Sequence, residues 1–355
     1  MFARVYIRLA PDLRVVLTRA IGGQGGTMNA WRRATAVILL GVCALLLAAP
    51  AQGAALKPLA LGYGATGWNN LPIWLAYDQG LYRKQGLDMR VVYVGPGIGP
   101  QALLSGDVPI MATGTQHFLR LFFGGTDVRI IFSLSKNMYA SVIVDPAKVR
   151  APQDLKGKRL GITRFGTVSH MSALYYLKRV GLQPGRDVAL IQLGGFPEIL
   201  AAMKAGAVES AMMIPPITFT ARRLGLHELQ DFGEFGLDFH QNTGAVLTST
   251  LRAQEDLLLR FMRATVEATA LMRRDREGAI RSLGRYTRTE DRTILEASVD
   301  YAARYIVDLP YTTLKGIQNV VEVLGVKAPP GTDLVRIIDN RFVEQVEREQ
   351  RQTPR

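Results

Sequence analysis

Arg164, Thr167 and Ser169 share a six-residue loop, Arg-Phe-Gly-Thr-Val-Ser, set between a short apolar run and an amphipathic stretch that opens at His170. A guanidinium and two hydroxyls beside the start of a helix suit an anionic group, because the first N–H groups of a helix lack internal partners and carry the positive end of its dipole. The same hydroxyls would serve equally as a plain helix cap, with Arg164 solvated at the surface. Residue types alone leave both readings open. Other chemistry is sparse. His117, His170, His227 and His240 form no i,i+4 pair and have no carboxylate at metal-ligand spacing, so each reads as an ordinary surface or loop histidine, and no metal is expected. There is no Gly-x-Ser-x-Gly elbow and no Walker loop, and the single cysteine, Cys43, lies in an apolar N-terminal run. Neither a catalytic group nor a cofactor is expected. Glu198 stands in the first turn of a short helix, where dipole complementation is the first reading and a cleft-lining acid the second.

The elements that must hold this loop follow from apolar patterning and turn residues. Strand, turn and helix signals place a strand at 58–61, a helix running from Pro72 toward Tyr82, a strand at 89–94, a short helix ending at Leu104 and a strand at 109–112. The same order returns with a strand at 159–163, a helix to Val180, a strand at 188–192, a short helix at 197–204 and a strand at 210–214. Gly86-Leu87 matches Gly181-Leu182, and Ser-Gly-Asp-Val at 105–108 matches Ala-Gly-Ala-Val at 205–208. Two parallel α/β units of this kind carry their binding loops at the carboxyl ends of their strands and would present them to each other across a cleft. Gly62 to Gly67 spells Gly-x-Gly-x-x-Gly after a strand, but a dinucleotide site also needs an acidic residue at the end of the second strand, where this chain has Val94-Gly95-Pro96. Pro72 moreover starts the helix beyond the third glycine, so a nucleotide site is set aside.

With 355 residues and 48% hydrophobic content the chain can bury a large core, and its length favours two domains over one. Arg32 and Arg33, an apolar stretch at 34–49 and the small residues at 50–55 have the anatomy of a signal peptide starting at Met28. The 16-residue apolar stretch is short for a bilayer span of about 20 residues, which disfavours the alternative of an uncleaved anchor. The formal charge of +13 falls to +8 once the six arginines and one aspartate of residues 1–54 are removed. No block of like charges remains, so a nucleic-acid partner is excluded and only a mild bias toward anionic ligands or a membrane surface is left.

Several segments carry a resemblance. Gly62-Tyr-Gly near a tryptophan, Leu75-Ala-Tyr-Asp-Gln-Gly-Leu-Tyr-Arg-Lys-Gln-Gly-Leu87, Leu103-Leu-Ser-Gly-Asp-Val-Pro-Ile110 and Asp154-Leu-Lys-Gly-Lys-Arg-Leu-Gly-Ile162 resemble the nitrate, sulfonate and taurine class of periplasmic substrate-binding proteins of ABC importers. That fold family also includes thiamine-pyrimidine binders, and the similarity covers about residues 57–345. It implies an α/β periplasmic-binding-protein fold of type II: two Rossmann-like lobes joined by two crossing strands, closing on a small molecule by hinge motion. Position by position it implies a cleft lined by Tyr63, Trp68, Asn69, Thr113, Thr115, Arg164, Thr167 and Ser169, with Pro215 and Pro216 shaping a wall.

The expected organisation is an N-terminal extension and signal at 1–55, a first part of lobe 1 at 56–144, lobe 2 at 145–240, and a return strand with four or five C-terminal helices at 241–355. The crossing strands are expected at 139–144 and 244–248. Leu257, Phe261, Ala264 and Ala268 recur at helical spacing as core, with Arg260, Arg263, Arg273 and Arg274 on a solvated face. The expected function is capture of a small organic anion, a sulfonate or carboxylate, by an exported and non-enzymatic monomer that serves an ABC permease from the periplasm. Two alternatives stand beside it. One is an exported sensor module. The other is a pyrimidine-precursor binder or enzyme of the same superfamily, whose relatives carry a cysteine-rich iron motif that has no counterpart in the mature part of this chain.

Overall fold

Residues 57–63 form a strand because five consecutive side chains, Leu59 to Tyr63, are covered from both faces, the pattern of a parallel sheet sandwiched between helices. The structure is a computed structural model and describes residues 55–95, 97–324 and 328–352. The chain divides after Ala55 into two units, and the fold is that of the unit from Leu56 onward. The signal peptide, the start at Met28 and the anchor alternative lie outside the described residues. Among those described, no helix is long and apolar enough to cross a membrane.

The first lobe runs β1 (Lys57–Tyr63), a 3₁₀ turn (Trp68–Asn70), α1 (Leu71–Asp78), α2 (Leu81–Lys84), β2 (Leu87–Tyr93), α3 (Gly99–Leu104), β3 (Ile110–Gly114), α4 (Thr115–Phe123) and β4 (Val128–Phe132). The second comprises β5 (Ser141–Val144), β6 (Arg159–Ile162), α5 (Val168–Arg179), β7 (Ala189–Gln192), α6 (Phe196–Lys204), β8 (Ser210–Met213), α7 (Ile217–Arg223) and β9 (His227–Asp231). The chain returns as β10 (Asn242–Leu247) and ends in α8 (Thr248–Ala253), α9 (Glu255–Arg274), α10 (Arg276–Thr287), α11 (Arg292–Tyr305), α12 (Leu314–Leu324) and α13 (Arg341–Gln352).

Each lobe holds a five-stranded sheet of the same design. The orders are β2-β1-β3-β10-β4 and β7-β6-β8-β5-β9. In each, the first three strands are parallel and the fourth runs against its neighbours. That fourth strand is the one each lobe receives from the crossing chain. The crossing strand expected at 139–144 lies, from Ser141 onward, in the second sheet, where β5 pairs with β8 and β9, so the second lobe starts before the expected boundary at 144. The segments between the sheets, 133–140 and 232–241, are bridged at Asn137 and Asp238. Gln241 ties them further, accepting from Tyr139 N at 2.8 Å and donating to Tyr139 O.

Two local departures have plain causes. The helix expected from Pro72 to Tyr82 is broken between Asp78 and Leu81, where Gly80 adopts φ +67°, a left-handed conformation that an L side chain resists. On α9, Leu258, Phe261, Ala264 and Ala268 are fully buried while Leu257 is half-buried, and Phe261 stacks on Tyr82 at 5.6 Å. The arginines of that helix are more than a solvated face. Arg263 pairs with Glu349 of α13 at 2.7 Å, Arg273 with Asp308 at 2.7 Å and Arg260 with Asp256 at 2.8 Å. A smaller apolar cluster, Ile143, Ile199, Met203, Ala211 and Met213 among its members, fills the second lobe beneath α6.

Candidate functional site

At the carboxyl end of β6 the chain turns through Thr163, Arg164, Phe165 and Gly166 into α5. Gly166 takes φ +80°, which reverses the backbone over one residue. Thr167 is the N-cap by position, yet its side chain makes no capping bond. Its Oγ1 donates instead to Arg164 O at 2.6 Å and lies 2.9 Å from Thr163 Oγ1 and 3.1 Å from Ser169 Oγ. Ser169 Oγ accepts from Thr163 N at 2.9 Å and sits 2.7 Å from Thr163 Oγ1. Three hydroxyls thus converge on one buried point and lock the loop. The Arg164 side chain stands exposed beside them, and its guanidinium makes no hydrogen bond or ion pair to any described residue.

The facing wall comes from the first lobe. Tyr63, at the end of β1, meets Trp74 edge-on at 5.4 Å and Tyr93 of β2 at 5.5 Å. The Tyr93 hydroxyl has its pKa raised by burial and by the Glu198 carboxylate, with Arg164 acting in the opposite sense, so both charged groups from the second lobe are felt at this ring. Asn69, in the middle of the 3₁₀ turn, and Thr113, next to the last residue of β3, are buried. Between the two walls lies a cavity of about 1460 Å³, above the roughly 300–1,000 Å³ usual for small-molecule sites. Its apolar lining includes Ile98, Phe196, Ile214 and Ile217. Contacts between the lobes flank it: Gln116 Nε2 donates to Gly166 O at 3.2 Å, Arg120 donates to the same oxygen at 3.4 Å, Trp68 N donates to Pro215 O at 3.4 Å, and Arg223 of α7 pairs with Asp291.

Of the residues expected in the cleft, Tyr63, Asn69, Thr113, Arg164, Thr167 and Ser169 line this cavity, as does Glu198. Trp68, Thr115 and Pro215 do not. Trp68 is 0% exposed and buried in an aromatic cluster, edge-on to Tyr139 at 4.8 Å and to Tyr301 at 5.2 Å. Its side chain and that of Asn69 leave the tight turn on different sides, and only Asn69 reaches the cavity. Thr115 is fixed inside the first lobe, donating to His240 O and lying 3.1 Å from Thr243 Oγ1. Pro215, joined to Pro216 by a cis peptide, contributes its carbonyl to Trp68 rather than a surface to the cavity.

Reading the sequence missed His117. It occupies the first turn of α4, lines the cavity, and is 8% exposed. Burial, reinforced by the neighbouring Arg120 guanidinium, pushes its pKa down to about 4, so the imidazole is neutral at physiological pH. The available signal was its position directly beyond the Thr113-Gly-Thr-Gln116 loop, on the cleft side of a strand end.

A profile of the family described as NMT1/THI5-like matches residues 68–279, more than half of the 355-residue chain. The chain belongs to the NMT1/THI5-like family. Among curated relatives it is 28% identical over 138 residues to the taurine-binding periplasmic protein of Escherichia coli K12, covering 38% of this chain and 42% of that protein. The chain spans about half the length of the curated relatives it matches. Among solved structures it is similar to the alkanesulfonate-binding protein SsuA of Xanthomonas axonopodis pv. citri bound to MOPS, at TM-score 0.65 and 20% identity over 81% of this chain and 100% of that one. It is also similar to the periplasmic nitrate-binding protein NrtA of Synechocystis PCC 6803, at TM-score 0.67 and 15% identity over 83% of this chain and 89% of that one. The fold of this family member is accordingly that of the periplasmic binding proteins.

Proposed function

We propose that the chain is an exported solute-binding protein that captures a small organic anion, a sulfonate or carboxylate, between its lobes and delivers it to an ABC permease. The observation that carries this reading is the Arg164 guanidinium, a cation with no hydrogen-bonding or ionic partner among the described residues, standing beside a self-bonded hydroxyl corner and across the cavity from tyrosine rings. A guanidinium presents two parallel donors to a planar or tetrahedral oxyanion. Tyr63 and Tyr93 supply the surface for the carbon body, in the place that Trp68 was expected to take.

Capture rather than turnover is favoured because, among the described residues, the one histidine that lines the cavity makes no side-chain hydrogen bond to a hydroxyl, and the corner hydroxyls of Thr163, Thr167 and Ser169 are engaged with each other. The segments 133–140 and 232–241 are the only covalent links between the sheets among the described residues, so hinge bending there would open the cavity. The protein acts as a periplasmic monomer in this reading, and names relatives for taurine, alkanesulfonate and nitrate support an anion without choosing one.

Native mass spectrometry of protein purified from its own periplasm should reveal a co-purifying anion. Calorimetric titration with that molecule should then show Arg164→Ala binding about 10- to 150-fold more weakly, the loss of a charge-assisted hydrogen bond worth about 1.5–3 kcal/mol. Thermal stability of the free protein should hardly move, since Arg164 is exposed. A cationic ligand, or an affinity indifferent to Arg164, overturns the reading.

A further inference from the structure

The hydroxyl corner and Arg164 account for one end of a ligand, yet the opposite wall carries polar groups that the anion reading leaves unused. His117 is more than nine-tenths buried, lines the cavity, and hydrogen-bonds to no described residue. Asn69, 4% exposed, lines the same cavity, and its side-chain amide nitrogen hydrogen-bonds to no described residue. Asn69 follows β1 in the 3₁₀ turn and His117 follows β3 in the first turn of α4, and those two strands pair directly. Polar side chains that face a cavity without protein partners are ordinarily satisfied there by water or ligand.

We infer that His117, with Asn69, is a specificity-determining pair that reads an uncharged hydrogen-bonding group, a hydroxyl above all, on the body of the anion held at Arg164. A neutral imidazole offers one donor and one acceptor, and a hydroxyl matches it in either sense. The Arg120 guanidinium acts on His117, so an ammonium beside this imidazole would meet like charge. A bare methyl in the same place would leave both side chains unpaired. Sites built to hydrogen-bond a substrate group reject the analogue that lacks it far more strongly than apolar pockets reject an extra group. The inference rests on the anion reading and narrows it from organic anions to hydroxylated ones.

The test uses two matched series. The ω-hydroxyalkanesulfonates and ω-hydroxyalkanoates with two to four methylenes are titrated calorimetrically against the compounds carrying methyl in place of hydroxyl. In at least one pair the hydroxylated member should bind at least tenfold more tightly. His117→Phe should erase that preference while keeping affinity for the methyl member, and His117→Gln, which retains a donor and an acceptor, should restore part of it. Preference absent from every pair in the wild-type protein, or surviving intact in His117→Phe, overturns the inference and leaves the anion reading standing. If no member of either series binds, the anion reading falls first and takes this one with it.

Discussion

On the second lobe, Thr163, Thr167 and Ser169 satisfy one another's hydroxyls and hold a backbone amide, whereas on the first lobe the Asn69 Oδ1 and the His117 imidazole find no partner among the described residues. Both walls stand at the carboxyl ends of equivalent parallel strands, so topology does not set them apart. The difference lies in what completes each. A self-bonded corner is preorganised and costs little to keep empty, which suits a charged group that must not be desolvated by a mobile site. An unpaired wall can be satisfied by water until a ligand enters, which suits discrimination, because a ligand that displaces the water without replacing its hydrogen bonds loses affinity.

The largest effect that separates the walls is carried by His117. Burial holds its folded pKa at about 4 against 6.5 for the free side chain. Between those values the unfolded chain binds the additional proton, so stability falls as pH drops from 6.5 toward 4, by up to about 3 kcal/mol. His170 and His240, also shifted down chiefly by burial, contribute with the same sign. Urea unfolding at several pH values should therefore show a steep acid loss in the wild type that is shallower in His117→Gln. Equal slopes in the two proteins would remove His117 from its buried, neutral place.

A second comparison sets a satisfied hydroxyl against an unsatisfied amide. Ser169→Ala removes the acceptor of Thr163 N and should lower stability by about 1–3 kcal/mol. Asn69→Leu removes a buried oxygen that has no partner, and stability should hold or rise, while affinity for the hydroxylated probes falls. Chemical denaturation of both variants decides the point. A destabilised Asn69→Leu together with a neutral Ser169→Ala would invert the roles given to the two walls.

How much of this could be read from the chain depends on whether the feature is local. The duplicated strand-helix order, announced by Gly86-Leu87 and Gly181-Leu182, reappears as two sheets of one design, since turn glycines and apolar runs report on their own neighbourhood. Membership of β5 in the second sheet is different. Four apolar residues read the same in either sheet, and only the tertiary pairing with β8 and β9 assigns them. Trp68 and Asn69 are adjacent in sequence and part company within a single tight turn, where no periodicity separates an inward aromatic from a cavity-facing amide. His117 escaped for the opposite reason: a lone histidine has no partner at ligand spacing to mark it.

The smallest effect concerns the tie between the walls. Arg223 leaves α7 of the second lobe and pairs with Asp291, the N-cap of α11, and both line the cavity. Their side chains are 57% and 34% exposed, so solvent screens the pair and its worth is at most about 1 kcal/mol. Such an energy cannot hold the lobes shut, but it can bias an equilibrium between open and closed forms that differ by a few kcal/mol. Arg223→Gln leaves Asp291 free to keep accepting from Ile294 N at 3.1 Å, so α11 stays capped. The variant should show a slightly larger radius of gyration in solution scattering when empty, an unchanged one when saturated, and an affinity lower by no more than about fivefold. A loss of fiftyfold or more would make Arg223 a ligand contact rather than a clasp, and an unchanged free-state radius would mean the ion pair does not restrain opening.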